Sequence, residues 1–561
     1  MNIHLAKSPS TGLHYVYLTE SYRDKNGKPQ RRFIEKIGIL EEMQKTEPNV
    51  LERLKHEAKL MSQKDKDTKT YQFSIQLNQK IDMTQQVYNY GYSLIKHVYE
   101  QMHLTSFIKD YQLAKKANYD LSQILELLVY GRMIDPRSKM STHQRKKQFF
   151  IEFDVIKLEE IYKSLDDLTA LKDDLMIHLN NELKTQGLRD ASLVFYDVTN
   201  YYFESTEFDG FRARGVSKEN KETGIVQMGL FIDTNGLPIT YELFPGNTHD
   251  LKTMRPILEK IKKQFNLGKL TIVADKGNNS AQNLALIESY GDDYIIAQRI
   301  RNRGNTYSDI VLGDKHYLYN ADKTFKYKLV AFDKEVQLED GTTKVIPEHL
   351  MCFWSKDEAL YQRAKRGLLE DKIDKFIKEP SLLNASNAFG IKKYFKKVKI
   401  DKKTGEVLKG KDTYIFNKEK YERDLSLDGY YTIVTNNLDL HPFDIIKHYR
   451  QLSKIEESFK VTKTDLEGRP IYVWTESHIK GHFLTCYLAL LFYRILQHKL
   501  DNKYPVHQIK EAIKTANCIE IAQGIYKMIP STPLFYELSK HMNKDFGYEF
   551  MKVGDIKKQF K

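Results

Sequence analysis

Asp197 and Asp275 each close a run of apolar residues, and Glu456 interrupts an apolar stripe much later in the chain. The first run, Leu193-Val-Phe-Tyr-Asp-Val-Thr199, is rich in β-branched and aromatic residues and reads as a buried strand. The second, Leu270-Thr-Ile-Val-Ala-Asp275, is followed by Lys276-Gly-Asn-Asn279, a turn signal, and then by a helix from near Ser280. In open α/β sheets functional groups collect outside the carboxyl ends of strands, where both aspartates are expected. Three carboxylates are hard oxygen ligands suited to Mg²⁺ or Mn²⁺ and not to Zn²⁺. Two such ions about 3.5–4 Å apart can activate a water or a 3′ hydroxyl on one side of a phosphodiester and stabilise the leaving oxygen on the other. Asp197, Asp275 and Glu456 are therefore the candidate metal ligands, and the chemistry they allow is that of a nuclease or a strand transferase.

The segment from His441 to Lys463 has no glycine and a single proline near its start, which predicts one continuous helix. One face carries Ile445, Tyr449, Leu452, Glu456, Phe459 and Lys463. Glu457 points about 100° away from Glu456, so Glu456 is the residue expected to turn inward. Tyr449, Glu456 and Lys463 are heptad-spaced, roughly 10 Å apart along the axis at 1.5 Å per residue. A carboxylate flanked by a phenol and an ammonium suits an extended anionic ligand.

These residues need a scaffold, and the rest of the sequence outlines one. A helix is expected over about 280–290 and a strand over 294–298. From about 299 to 427 strand-like pieces alternate with turn signals such as Glu339-Asp-Gly-Thr-Thr343 and Asp401-Lys-Lys-Thr-Gly-Glu406, with one helical stretch near 356–378. About 130 residues is too long for a loop and reads as an inserted subdomain. The run Gly429-Tyr-Tyr-Thr-Ile-Val-Thr435 returns to the core just before the Glu456 helix. Residues 1–70 read as a small β-rich section, with a turn at Lys25-Asn-Gly-Lys28 and a polar linker over Gln63–Thr70. Residues 71–188 are helical, and residues 501–561 form a helical C-terminal region.

At 561 residues the chain should hold several domains. Hydrophobic residues at 41%, with 12% aromatic, exclude a disordered chain. A net charge of +13 favours a polyanionic partner, and two segments concentrate the cations: Arg137–Lys147, dense in lysine, arginine and hydroxyls, and Lys392–Lys403, which alternates lysines with apolar residues. Cys352, Cys486 and Cys518 are far apart, as expected in a reducing cytoplasm. The N-terminus has no signal-peptide core, and the longest apolar stretch, Phe483–Leu496, is too short for a bilayer and contains Arg494. It is expected to be a buried helix behind the active-site helix. No phosphate-loop motif implies ATP use. Trp354 and Trp474 are candidates for stacking on a flipped base, while Thr248 or Asp250 reads as a helix cap.

Four stretches carry a resemblance: Phe195-Tyr-Asp-Val-Thr-Asn-Tyr-Tyr-Phe-Glu-Ser205, Tyr241-Glu-Leu-Phe-Pro-Gly-Asn-Thr-His-Asp250, Val273-Ala-Asp-Lys-Gly-Asn-Asn-Ser280 and Ile455-Glu-Glu-Ser-Phe-Lys460. In their order and spacing the chain resembles the bacterial DDE transposases of the insertion-sequence-four group, in a long-chain branch, over about residues 190–500. The signature helix of that group places Tyr, Arg, Glu and Lys at fixed spacing. Tyr449, Glu456 and Lys463 fit it, while Leu452 stands at the Arg position and leaves Arg450 or Lys454 to supply a phosphate-binding charge from a neighbouring position.

The resemblance implies an α/β fold with an RNase H-like catalytic core over 189–298 and 428–500, a five-stranded mixed sheet flanked by helices, and a β-rich insertion over 299–427. It further implies two Mg²⁺ or Mn²⁺ ions, double-stranded DNA partners (element ends and target), end binding by the helical region 71–188, a homodimer on paired ends, and a cytoplasmic, nucleoid-associated protein with no membrane partner. Two rival readings use the same residues: a metal-dependent nuclease without strand transfer, and a non-catalytic DNA-binding relative.

Overall fold

The computed structural model describes all residues except 24–27, 69–83, 116–117, 152, 154, 205–206, 216–222, 302–305, 380–389 and 401–406. By contact the chain divides into two units, Met1–Thr84 and Gln85–Lys561.

In the first unit, strands β1 (Asn2–Lys7), β2 (His14–Arg23) and β3 (Pro29–Ile39) form an antiparallel sheet in the order β1-β2-β3. Helices α1 (Leu40–Thr46) and α2 (Val50–Thr68) follow. Alternation along the strands sends Ile3, Leu5, Val16 and Ile37 to one face, where they meet Val50 and Leu54 of α2 in a small core. The linker expected over Gln63–Thr70 is helical as far as Thr68, because the charged run continues α2; residues 69 and 70 lie outside the described residues. Most of the turn expected at Lys25–Lys28 also lies outside them.

The second unit begins with a short strand β4 (Val87–Asn89) and helices α3 (Ser93–Gln101), α4 (Leu104–Lys115), α5 (Leu121–Ile134), α6 (Lys139–Gln144) and α7 (Leu158–Thr185). α5 is buried over nearly its whole length, and α3, α4, α5 and α7 share one hydrophobic cluster with the strands and helices that follow. Their apolar faces had to be covered, and the partner is the sheet and its central helix.

Strands β5 (Leu193–Tyr202), β6 (Ile225–Asp233) and β7 (Pro238–Pro245) form an antiparallel meander, followed by α8 (Met254–Gln264), β8 (Thr271–Ala274), α9 (Ala281–Ser289) and β9 (Asp293–Ala297). β8 pairs in parallel with β5, and β9 in parallel with β8. Next come α10 (Thr306–Leu312), β10 (Leu318–Tyr319), β11 (Phe325–Gln337), β12 (Thr343–Ser355), α11 (Lys356–Lys378), β13 (Phe395–Ile400), β14 (Val407–Phe416), α12 (Lys418–Ser426) and β15 (Tyr430–Thr435). The sheet has nine strands in the order β10-β11-β12-β15-β9-β8-β5-β6-β7. Part of the expected insertion, β10 to β12, thus extends the central sheet, because β12 finds an antiparallel partner in β15. β13 and β14 pair separately as a two-stranded ribbon; residues 401–403 of the expected basic hairpin lie outside the described residues.

Helices α13 (Pro442–Arg450) and α14 (Ser453–Lys460) lead through a π-helical turn, Val461–Asp465, to the long α15 (Glu476–Lys499). α15 is the expected buried helix: Phe483–Leu496 is buried throughout, and α7 packs along it. Gly481 permits the approach, since a Cβ there would lie 2.5 Å from the Leu165 carbonyl oxygen. The C-terminal region, expected to be helical, is mixed: α16 (Val506–Thr515), β16 (Asn517–Ala522), β17 (Ile525–Met528), α17 (Pro533–His541), β18 (Phe550–Lys552) and α18 (Val553–Lys558). Its three strands form a sheet with β4, in the order β18-β17-β16-β4, tying the two ends of this unit together.

Candidate functional site

The two aspartates owe their placement to strand register. Tyr196 on β5 pairs with Ala274 on the parallel neighbour β8, so Asp197 and Asp275, each the next residue, end level with one another. Adjacent strands lie about 4.8 Å apart, so the two carboxylates start from neighbouring backbone positions. Each is half-buried: rigid at its base and open to solvent at its tip. Tyr196 is locked beneath them by a 2.7 Å hydrogen bond from its hydroxyl to Thr253 Oγ1. Gly229 on β6 leaves room for that ring, because a Cβ there would lie 2.7 Å from the Tyr196 hydroxyl.

The helix expected over His441–Lys463 is broken. α13 ends at Arg450, Gln451 and Leu452 form a turn, and α14 begins at Ser453. The stripe of α13 therefore does not continue onto α14. On α14 the buried positions are Ile455, Ser458 and Phe459, and Glu456 is exposed. An uncompensated carboxylate inside the core is costly, and the break lets Ile455 take the inward place expected for Glu456. Glu457 is committed elsewhere: Arg494 of α15 pairs with it at 3.1 Å and donates to Ser458 Oγ at 2.9 Å.

Tyr449 links the parts of the site. Its pKa is pushed up by burial first and then by the charges of Asp275, Tyr431 and Glu456. The phenol thus stays protonated, near enough to both carboxylates for their charges to act on it. Lys463 lies in the π-helical turn, and its ammonium donates to Thr199 Oγ1, two residues past Asp197 on the same face of β5. It also sits 5.6 Å from the Tyr201 ring centre, and Tyr201 is hydrogen-bonded to Thr462 at 2.6 Å.

The other two candidates differ from these. Arg450 is exposed. Lys454 donates at 2.7 Å to the Thr234 carbonyl in the β6–β7 turn, beside the start of β5, and at 2.9 Å to Gln451 Oε1. Leu193 at the start of β5 bonds that same Thr234, so the Lys454 ammonium is held near the opposite end of β5 from the Asp197 position.

A fourth carboxylate arrives at this end of the sheet. Asp250 opens a short 3₁₀ turn, and its Oδ2 is 4.0 Å from the position a Cβ would take at Gly277, two residues after Asp275. Neither Asp250 nor Thr248 caps α8, as had been expected; the N-cap of that helix is Thr253, with no side-chain cap. The reason is the intervening turn, in which the Asp250 carbonyl accepts from Thr253 Oγ1 at 2.6 Å. Of the tryptophans, Trp354 donates to the Asp428 carbonyl at 3.0 Å and packs, whereas Trp474 is 47% exposed with the Arg212 guanidinium 5.5 Å from its ring centre.

Among the described residues no three histidine, cysteine, aspartate or glutamate side chains stand close enough together to hold a metal ion. The donor chemistry nevertheless fits a hard divalent cation: two level, half-buried aspartates on adjacent parallel strands, Asp197 within β5 and Asp275 just past the end of β8. Glu456 stands near enough to act electrostatically on Tyr449.

In the segment Arg137–Lys147 the expected surface of cations is only partial. Lys139 is 4% exposed, and Arg137 and Arg145 both pair with Asp135.

Comparison with known proteins adds the following. Among the solved structures similar to the chain at low identity are the following three. A piggyBac transposase synaptic complex with hairpin DNA has a TM-score of 0.36 and 7% identity, over 78% of this chain and 82% of that one. A pre-cleavage Mos1 transpososome has a TM-score of 0.15 and 11% identity, over 34% of this chain and 62% of that one. A Mos1 mariner paired-end complex with Mn has a TM-score of 0.14 and 11% identity, over 36% and 63%. Comparison with curated proteins finds no match. Residues 5–72 match the N-terminal domain of IS1634 family transposases, a label near to but not the same as the insertion-sequence-four group the motifs had suggested. Residues 189–492, more than half of the 561-residue chain and the whole of the site described above, match the transposase DDE domain, and the chain belongs to that family.

Proposed function

We propose that the protein is the transposase of an insertion sequence, which binds the terminal inverted repeats of its element, hydrolyses a phosphodiester at each end, and directs the freed 3′ hydroxyl onto target DNA. The observation that carries this reading is the level placement of Asp197 and Asp275 on adjacent parallel strands inside the matched domain. The sheet supports it too: the five strands β7-β6-β5-β8-β9, an antiparallel meander followed by two parallel strands, have the order of an RNase H-like core.

Asp197 and Asp275, joined by Glu456 on closing toward them, would hold a pair of Mg²⁺ or Mn²⁺ ions, which when bound would supply Lewis-acid polarisation of the scissile phosphate and a lowered pKa for the attacking water. The protein's own groups have separate tasks. The Tyr449 phenol, kept protonated by burial and by the Asp275 charge, is a donor in reach of that charge. Lys463, held beside Thr199, places a positive charge next to the strand that carries Asp197, where a DNA phosphate can meet it. Arg450, exposed on the surface, is a second phosphate contact; Lys454 joins it only by releasing the Thr234 carbonyl. No side chain serves as nucleophile. Two copies of the chain act together on paired ends.

The test is product analysis. Purified protein is given a labelled duplex with a pre-cut element end and a supercoiled target in Mg²⁺. Joined end–target products are expected. Cutting of intact ends with no joined product would replace this reading with that of a nuclease.

A further inference from the structure

Among the described residues of the N-terminal unit, one sheet face is covered by helix and one is left open. On the open face His4 of β1 stands opposite Tyr17 of β2, and Tyr17 stands opposite Lys36 of β3. Phe33 joins them, its ring 5.7 Å from His4 and 5.2 Å from Tyr17. Arg31 Nη1 lies 2.7 Å from His4 Nδ1, and Lys36 Nζ lies 3.9 Å from the centre of the Tyr15 ring. Residues 29–36 of β3 are all exposed, and Phe33 is 55% exposed.

Charge is distributed unevenly between the two layers. Among the described residues, 1–39, which hold the sheet, contain six lysines and arginines against two aspartates and glutamates; 40–68, which hold the helices, contain six against seven. The excess positive charge of this unit therefore belongs to the sheet. Aromatic rings in contact with cations, on an exposed antiparallel sheet, form a surface for a polyanion that also presents flat bases. β-sheet readers lay strands in the grooves of B-DNA, and β3, at the edge of this sheet, carries Arg31, Phe33 and Lys36.

We propose that the open face of β1–β3 is a duplex-DNA recognition surface, with Arg31 directed at base edges, Lys36 at a phosphate, and Phe33 packed against the groove wall. This rests on the transposase reading for the identity of the DNA, an element end. It moves end recognition from the helices of residues 85–188, whose apolar faces are consumed by the core, to the preceding sheet.

The experiment uses the full chain and a labelled duplex of the terminal inverted repeat, beside a scrambled duplex, over a series of salt concentrations. Arg31→Ala, Phe33→Ala and Lys36→Ala all change exposed side chains. Arg53→Ala, on α2, removes the same charge from the other layer and breaks only exposed pairs with Glu47 and Glu57. Arg31→Ala should weaken end binding roughly ten- to a hundredfold and erase the preference over scrambled DNA, and Lys36→Ala should lower the salt slope by about one. Phe33→Ala should weaken end binding, while Arg53→Ala should leave the preference intact. Variants of the sheet that bind the end as tightly and selectively as wild type overturn the proposal while leaving the transposase reading in place. A fall from dimer to monomer with end affinity unchanged assigns the face to self-association and also overturns it. Wild-type protein that binds neither duplex sinks both readings.

Discussion

Glu457 is paired with Arg494 at 3.1 Å, while its neighbour Glu456 lies exposed, close enough to raise the Tyr449 pKa. Two adjacent carboxylates on one helix thus have different tasks: one fastens α14 to α15, the other is left for chemistry. Glu456→Gln should lose DNA cleavage by about 10³-fold or more, the loss of several kcal/mol of metal-assisted stabilisation, with an unchanged melting temperature. Glu457→Gln should keep most of the cleavage rate and lose about 1–2 kcal/mol of stability, because Arg494 remains in the core without its partner. Cleavage rates and thermal melts of the two variants check the division, and the reverse pattern would exchange the roles.

Tyr449 feels the charge of Asp275, while Lys463 donates to Thr199, two residues past Asp197. Tyr449→Phe keeps the ring and removes only the hydroxyl on which the Asp275 charge acts. Cleavage should fall roughly tenfold, in line with loss of one donor beside a charged group, about 1.5–3 kcal/mol at most. Lys463→Ala should weaken binding of DNA that spans the cut and reduce the salt dependence of that binding by about one phosphate contact. Single-turnover rates and salt-titrated affinities measure the two effects separately.

Lys139 is a buried cation in the company of Arg132, His482 and Cys486. Burial first, and the Arg132 charge second, bring its pKa down to about 7 from an ordinary 10.5. Between those values the unfolded chain holds a proton that the folded chain lacks, so this group makes stability rise with pH from about 7 to 10.5; below pH 7 its full cost is present. A shift of this size is worth on the order of 4 kcal/mol. Lys139→Met should therefore stabilise the protein at pH 7 and flatten the rise in melting temperature between pH 7 and 10. A variant less stable than wild type at pH 7 would show that the ammonium is compensated in the folded protein.

Much of the sheet could be read from the sequence because its strands are short runs of β-branched and aromatic residues, ending in a turn signal at Asp275; Asp197, expected to close its strand, lies within β5 instead, because pairing with β6 carries the strand on to Tyr202. Their level alignment could not, since it depends on the parallel register of β5 and β8, which are separated by the whole β6–β7–α8 segment. The break at Gln451 and Leu452 has no glycine or proline to announce it, so helical periodicity ran straight through and placed Glu456 inside. The helices of residues 85–188 showed their apolar faces but not the surface that would cover them, and Lys139 looked like a surface lysine for the same reason. Asp250 was set aside as a cap because its nearness to Gly277 comes from a chain turn that local composition does not encode.

The most direct test of the central claim is cleavage of a labelled linear DNA carrying the element's own ends, in Mg²⁺, by wild-type protein beside Asp197→Asn and a metal-free control. The account predicts cuts at the ends by wild type alone, with Asp197→Asn still binding them. Normal cleavage by Asp197→Asn, or cleavage without a divalent metal, would contradict it.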